Sequence, residues 1–110
     1  MAWLLRDGEV LASVEVMASR AARMRGLIGR RSLEGAVLLR PARAVHTVGV
    51  RFPLDVAFCD PDLVVIDTVE AMPPGRITVP RWRAQCVLEA EAGSLARWGV
   101  RRGDQLELKG

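Results

Sequence analysis

His46 is the one histidine of the chain, and it stands in the stretch AVHTVGVRFPLDVAFCD (44–60) with Thr47, Arg51 and Asp55 close by between apolar runs. Polar groups among buried strands cost free energy unless they are paired, so each needs a structural or chemical reason. If 45–48 and 53–58 are the arms of a hairpin, His46 lies opposite Asp55 on one sheet face, about 5 Å away at Cβ. The carboxylate would favour the imidazolium form and orient the ring. Arg51, at the loop tip, would offer an anion a planar fork of donors. Thr47 points to the other face, so it joins the same site only if the strand ends or bulges there. Three readings fit. The first is a binding module that holds a polar or anionic small ligand near His46, Thr47, Arg51 and Asp55, with Arg25 or Arg81 converging. The second is a protein-interaction domain whose His–Asp pair is structural. The third is a small enzyme in which Asp55 orients His46 as general acid or base.

Arg81-Trp82-Arg83 is the other local oddity. A Trp between two Arg residues can stack on a base, and more commonly it packs on the body while its neighbours face water. With no recognised nucleic-acid motif beside it, nucleic acid is not the expected partner. Cys59 and Cys86 each lie in an apolar run and read as small buried hydrophobes; a disulfide requires their strands to be neighbours. Two cysteines and one histidine at these separations form no zinc signature. Neither a P-loop nor a dinucleotide glycine fingerprint is present, so no metal or cofactor is expected.

The elements that must position these residues are mostly strands. Trp3–Leu5, Asp7-Gly8 and Glu9–Met17 read as a hairpin with Val10, Ala12, Val14 and Val16 on one face of its second arm. Ser19 is a candidate N-cap for a helix to about Gly29. Ala22, Gly26 and Gly29 leave a bare strip there, which points either to close approach by another segment, with Arg25 pinned against the body, or to an early helix end. Strands follow at Ala36–Leu39, Val45–Val50, Leu54–Cys59, Leu63–Val69, Ile77–Val79, Ala84–Glu91 and around Leu106–Leu108. Ser94 can cap a short helix through Trp98 that Gly99 terminates. The expected fold is α+β and mostly β: one domain over residues 1–110, a small curled antiparallel sheet or barrel-like sandwich, one packed helix and one short one.

At 110 residues, half of them hydrophobic, the chain can build one core without disulfides or metal. Fifteen of its sixteen basic residues are Arg and the net charge is +3, a balance that bears on solubility and weak association rather than on fold. No apolar run reaches the roughly 18 residues of a membrane span, and MAWLLRDGEV enters a strand pattern without the features of a secretory signal. A cytoplasmic protein without a membrane partner is expected.

Several segments together carry a resemblance. Arg23 and Arg25 with Gly26-Leu27, Pro53-Leu54-Asp55-Val56 with Phe58 and Asp60, Val87-Leu88-Glu89 with Ala92-Gly93, and Gly103-Asp104 resemble the motifs of the domain of unknown function 192 family, over roughly Ala12 to Leu108. The resemblance implies no established activity, cofactor or catalytic residue. Many relatives carry Trp-Met-Lys-Asn where this chain has His46-Thr47-Val48-Gly49, so a catalytic His46 would not be shared, which favours binding over catalysis. Ile28, Val48 and Val50 stand where Met, Phe and Met are frequent.

Overall fold

Asp7 and Gly8 both take positive φ (53° and 77°), the backbone of a primed two-residue turn. In the computed structural model, which describes residues 2–110, this turn joins β1 (Ala2–Arg6) to β2 (Glu9–Met17). The pairing runs from Arg6↔Glu9 to Ala2↔Val14 with a register shift between Leu4 and Leu5. The end of β2 that pairs with β3 contributes to both faces of the sheet: Val14 is buried in one core and Met17 in the other, while Val10 and Val16 face solvent.

The Ser19 hydroxyl accepts the Ala22 N–H at 3.1 Å and starts α1 (Arg20–Arg25). The helix stops at Arg25, four residues before Gly29, because Gly26 turns to φ 48° while its N–H closes the last bond onto the Ala22 carbonyl. A side chain at Gly29 would meet nothing within 4 Å. The bare strip thus serves backbone conformation, and the close approach falls elsewhere: a Cβ on Gly49 would come within 3.2 Å of Ile28.

β3 (Ala36–Leu39), β4 (Leu54–Cys59), β5 (Val65–Met72), β6 (Cys86–Glu91) and β7 (Glu107–Lys109) complete one seven-stranded sheet in the order β5-β4-β6-β3-β2-β1-β7. Only β2 and β3 run parallel; the other neighbours are antiparallel. β3 and β4 are buried throughout, β3 as a continuous apolar run and β4 as an apolar run interrupted by Asp55. The sheet curls without closing and has a core on each face. Val37, Leu39, Val56, Phe58 and Val87 point to one, packed with Leu27 and Leu33 before β3 and Val45 and Val50 after it. Ala36, Leu38, Ala57, Leu88 and both cysteines point to the other, under Leu95 and Val100. Cys59 and Cys86 are directly opposite each other in the β4–β6 ladder and both are free thiols. The neighbouring Cys86 thiol, with burial behind it, pushes the Cys59 thiol up, and the same contact draws Cys86 down.

α2 (Ser94–Trp98) begins after Gly93, which occupies the N-cap position without a side chain to offer. Asp55 fills that role from β4. Its carboxylate is 1% exposed and accepts the N–H groups of Gly93 (2.9 Å), Leu95 (3.0 Å) and Ala71 (2.9 Å). Gly99 ends α2 with φ 66°, and Arg6 donates to the Trp98 and Gly99 carbonyls at 2.8 and 2.6 Å, tying β1 to the helix C-terminus. Losing Asp55 leaves the N–H of buried Leu95 without an acceptor, at about 1–3 kcal/mol, and takes the acceptor from the more exposed Gly93 and Ala71. Asp55→Ala is therefore expected to lower unfolding free energy by about 2 kcal/mol or more in urea titrations. A loss under about 1 kcal/mol would refute this anchoring role.

Candidate functional site

The chain from Val45 to Val50 does not pair with β4. Only His46 takes part in a ladder contact, an isolated antiparallel bridge to Ile77. The Thr47 N–H donates to the Arg76 carbonyl at 2.8 Å and the Thr78 N–H to the Val45 carbonyl at 2.9 Å. The Thr47 hydroxyl fixes this arrangement. It is fully buried, donates to the Pro73 carbonyl at 2.6 Å and accepts the Arg76 N–H at 2.9 Å. With Thr47 turned inward, His46 must turn outward, and it is exposed.

The paired His46 and Asp55 of the sequence reading are therefore not brought together. Asp55 pairs with Ala90 in the β4–β6 register and points to the face that carries α2. His46 sits over the opposite face, with the chain that covers Val56 and Phe58. The other expected site residues scatter too. Thr47 is consumed by the backbone it organises. Arg51 is exposed on its loop. Arg81 lies over the Phe58 ring at 4.4 Å and is paired with Asp67 at 2.9 Å, which holds the Asp67 carboxyl below its ordinary range. Arg25 stays exposed, and Arg23 is the residue pinned to the body, bonded to the Ala18 carbonyl.

Two of the expected residues do meet. His46 and Arg25 line a cavity of about 60 Å³ together with Arg23, Leu27, Val50 and Glu89. That volume holds a few waters or a small polar group. Glu89 forms the polar floor. It lies on central β6 between Val37 of β3 and Val56 of β4, and it is 3% exposed. Among the described residues no group donates to its carboxyl. Burial alone pushes its pKa from 4.5 up to about 7. A largely buried acid with no protein donor, its carboxyl open to a mouth of two arginines and a histidine, is the most unusual electrostatic feature of the molecule. Sequence reasoning missed it, because Glu89 shares an alternation face with Gln85 and Glu91 and reads as solvated. The signal was there in Val87-Leu88-Glu89-Ala90, an acid within an apolar run. No group of His, Cys, Asp and Glu among the described residues is arranged to hold a metal ion.

Glu89 makes stability depend on pH in a definite sense. Its pKa in the folded protein lies above its unfolded value, so the native state keeps a proton that the unfolded chain sheds. Stability is then highest below about pH 4.5 as far as this group is concerned, and it falls as pH rises to about 7, by about 3 kcal/mol. Arg23, Arg25 and His46 face Glu89 across the cavity and are common to both proteins in the comparison that tests this. Glu89→Gln should flatten the decline between pH 5 and 8 and be the more stable protein at pH 8, in denaturant titrations at each pH. Parallel profiles for the two proteins would show that Glu89 is ionised throughout.

Solved structures share this architecture. A protein of unknown function from Novosphingobium aromaticivorans DSM 12444 superposes with a TM-score of 0.82 at 22% identity, over 96% of this chain and 82% of its own. A protein from Sinorhizobium meliloti 1021, provisionally named a transcription regulator, also gives 0.82, at 26% identity over 96% of this chain and 90% of its own. No curated protein matches. No helix among the described residues is long and apolar enough to cross a membrane. The family model described as "Uncharacterized ACR, COG1430" matches residues 2–108, and the chain belongs to this family, domain of unknown function 192.

Proposed function

We propose that the protein is a binding module for a polar or anionic small ligand, seated in the cavity between α1, His46 and Glu89. The observation that carries this reading is the Glu89 carboxyl, which accepts no hydrogen bond from the protein among the described residues and opens into the cavity beneath a basic mouth. With no protein donor engaged, it is available to a donor group on a ligand. The floor can accept a hydrogen bond from an ammonium, amide or hydroxyl group. It can also donate one while it holds its proton. At the mouth, Arg25 and His46 offer donors to a carboxylate or other anion. A cavity of about 60 Å³ admits only the small end of such a molecule, so the remainder lies across the exposed Met24 and Ile28 at the rim.

The Glu89 pKa near 7 favours a second reading, acid–base chemistry on the same ligand, since a proton donor works best when its pKa lies near the working pH. Amide NMR spectra recorded during titration with pooled amino acids, sugars and short hydroxycarboxylates test the first reading. Saturable shifts at Gly26, Leu27, His46 and Glu89 are expected, weakened about tenfold or more in Arg25→Ala. Absence of saturable shifts with all three pools would remove these ligand classes. Turnover of a bound compound that is lost in Glu89→Gln while binding survives would select the second reading.

A further inference from the structure

A separate depression lies between β5 and the segment Arg81–Arg83. Its volume is about 550 Å³, within the range of small-ligand sites, and it shares no lining residue with the Glu89 cavity. We propose that it binds a nucleobase carrying a phosphate, the base stacked on Trp82 and the phosphate held by Arg83 and Arg102.

Trp82 is 77% exposed and belongs to neither core, whereas Trp98 packs into one of them. An indole left in water presents a flat apolar face, and stacking on such a face accepts any base. Ile66, on β5, supplies a second apolar wall. The charge around the ring is of one sign. Asp67 is the single acid in the lining, and Arg81 already neutralises it through the 2.9 Å ion pair. Among the described residues Arg83 and Arg102 make no hydrogen bond or ion pair, so two guanidinium forks stay free beside the indole. Arg81 is held by Asp67, by the Val79 carbonyl and by the Phe58 ring, which fixes the backbone on which Trp82 and Arg83 stand. A planar ring and an anion are thus recognised by different groups at one site. The requirement for both separates this chemistry from simple charge attraction.

Intrinsic fluorescence of the full chain reads the test, with AMP, UMP, ribose 5-phosphate, inorganic phosphate and a ten-nucleotide thymidine single strand as probes. Saturable quenching by the mononucleotides is expected, with ribose 5-phosphate and phosphate at least tenfold weaker. The quenching should vanish in Trp82→Leu although Trp3 and Trp98 remain, and weaken tenfold or more in the double variant Arg83→Ala/Arg102→Ala. All three side chains are exposed, so unchanged unfolding midpoints will show the variants folded. Much tighter binding of the single strand, with the same dependence on Trp82, would identify nucleic acid as the source of the base and phosphate. No saturable quenching by any nucleotide, quenching that survives Trp82→Leu, or an equal response to ribose 5-phosphate would overturn the proposal. Glu89→Gln serves as the control: it should leave nucleotide binding unchanged, so the two sites stand or fall separately.

Discussion

A carboxylate buried in a sheet must find donors, and Asp55 finds three that belong to two different elements. Ala71 lies in β5, at a residue whose φ of 51° marks a break in regular pairing; Gly93 and Leu95 open α2. One side chain on β4 thereby sets where β5 bends and where the chain leaves β6 to form a helix. The covering of the second core by Leu95 and Val100 follows from the position of that helix. The constraint is strong because without Asp55 the N–H of buried Leu95 has no acceptor and the bonds that tie Ala71 and Gly93 to β4 are lost.

Glu89 is the counterpart. Asp55 pairs with Ala90 and Val56 pairs with Glu89, so the two acids lie one residue out of step across adjacent strands and point to opposite faces. On one face the acid is saturated with backbone donors; on the other it has none. The same residue chemistry at nearly the same height in the sheet thus performs two tasks, one architectural and one available to a ligand. The environment decides which, as it does for any pair of carboxyl groups with different neighbours.

Local signals in the sequence reached the local structure. The Asp-Gly hairpin and the Ser19 cap depend on residues close in sequence, where turn and capping chemistry acts directly. The span Ser94–Trp98 was legible too, but its cap was not: Gly93 takes the N-cap position and Asp55, not Ser94, accepts the first N–H groups. The site was less legible, because its geometry rests on two non-local choices. Apolar alternation in Val45–Val50 describes a strand equally well whether its partner is β4 or the distant Arg76–Thr78. The Thr47 hydroxyl, bonded to Pro73 and Arg76, decides between them. Alternation in β6 likewise cannot tell a solvated face from a covered one, and it left Glu89 hidden until Leu27 and Val50 were placed above it. Arg25 and His46 were found as residues, but the partner they share was not.

Charge is distributed to match. Residues 16–33, 35–54 and 71–88 contain eleven of the fifteen arginines and His46, and no Asp or Glu. These stretches supply the cover over the face that holds Glu89, including Leu27, Val45, Val50 and Met72. Concentrating one sign there raises self-repulsion and draws anions to that face. Such a field has a consequence for proton linkage. A ligand that carries a cation to the cavity floor stabilises the ionised carboxyl and displaces its proton, so binding near pH 7 releases protons to solvent. A ligand that only brings an anion to the mouth offsets the positive field and keeps the proton on Glu89. The sign of proton exchange, obtained by calorimetry in two buffers of different ionisation enthalpy, therefore reports which end of a ligand lies against Glu89. Glu89→Gln must abolish that exchange if the floor is where the ligand ends.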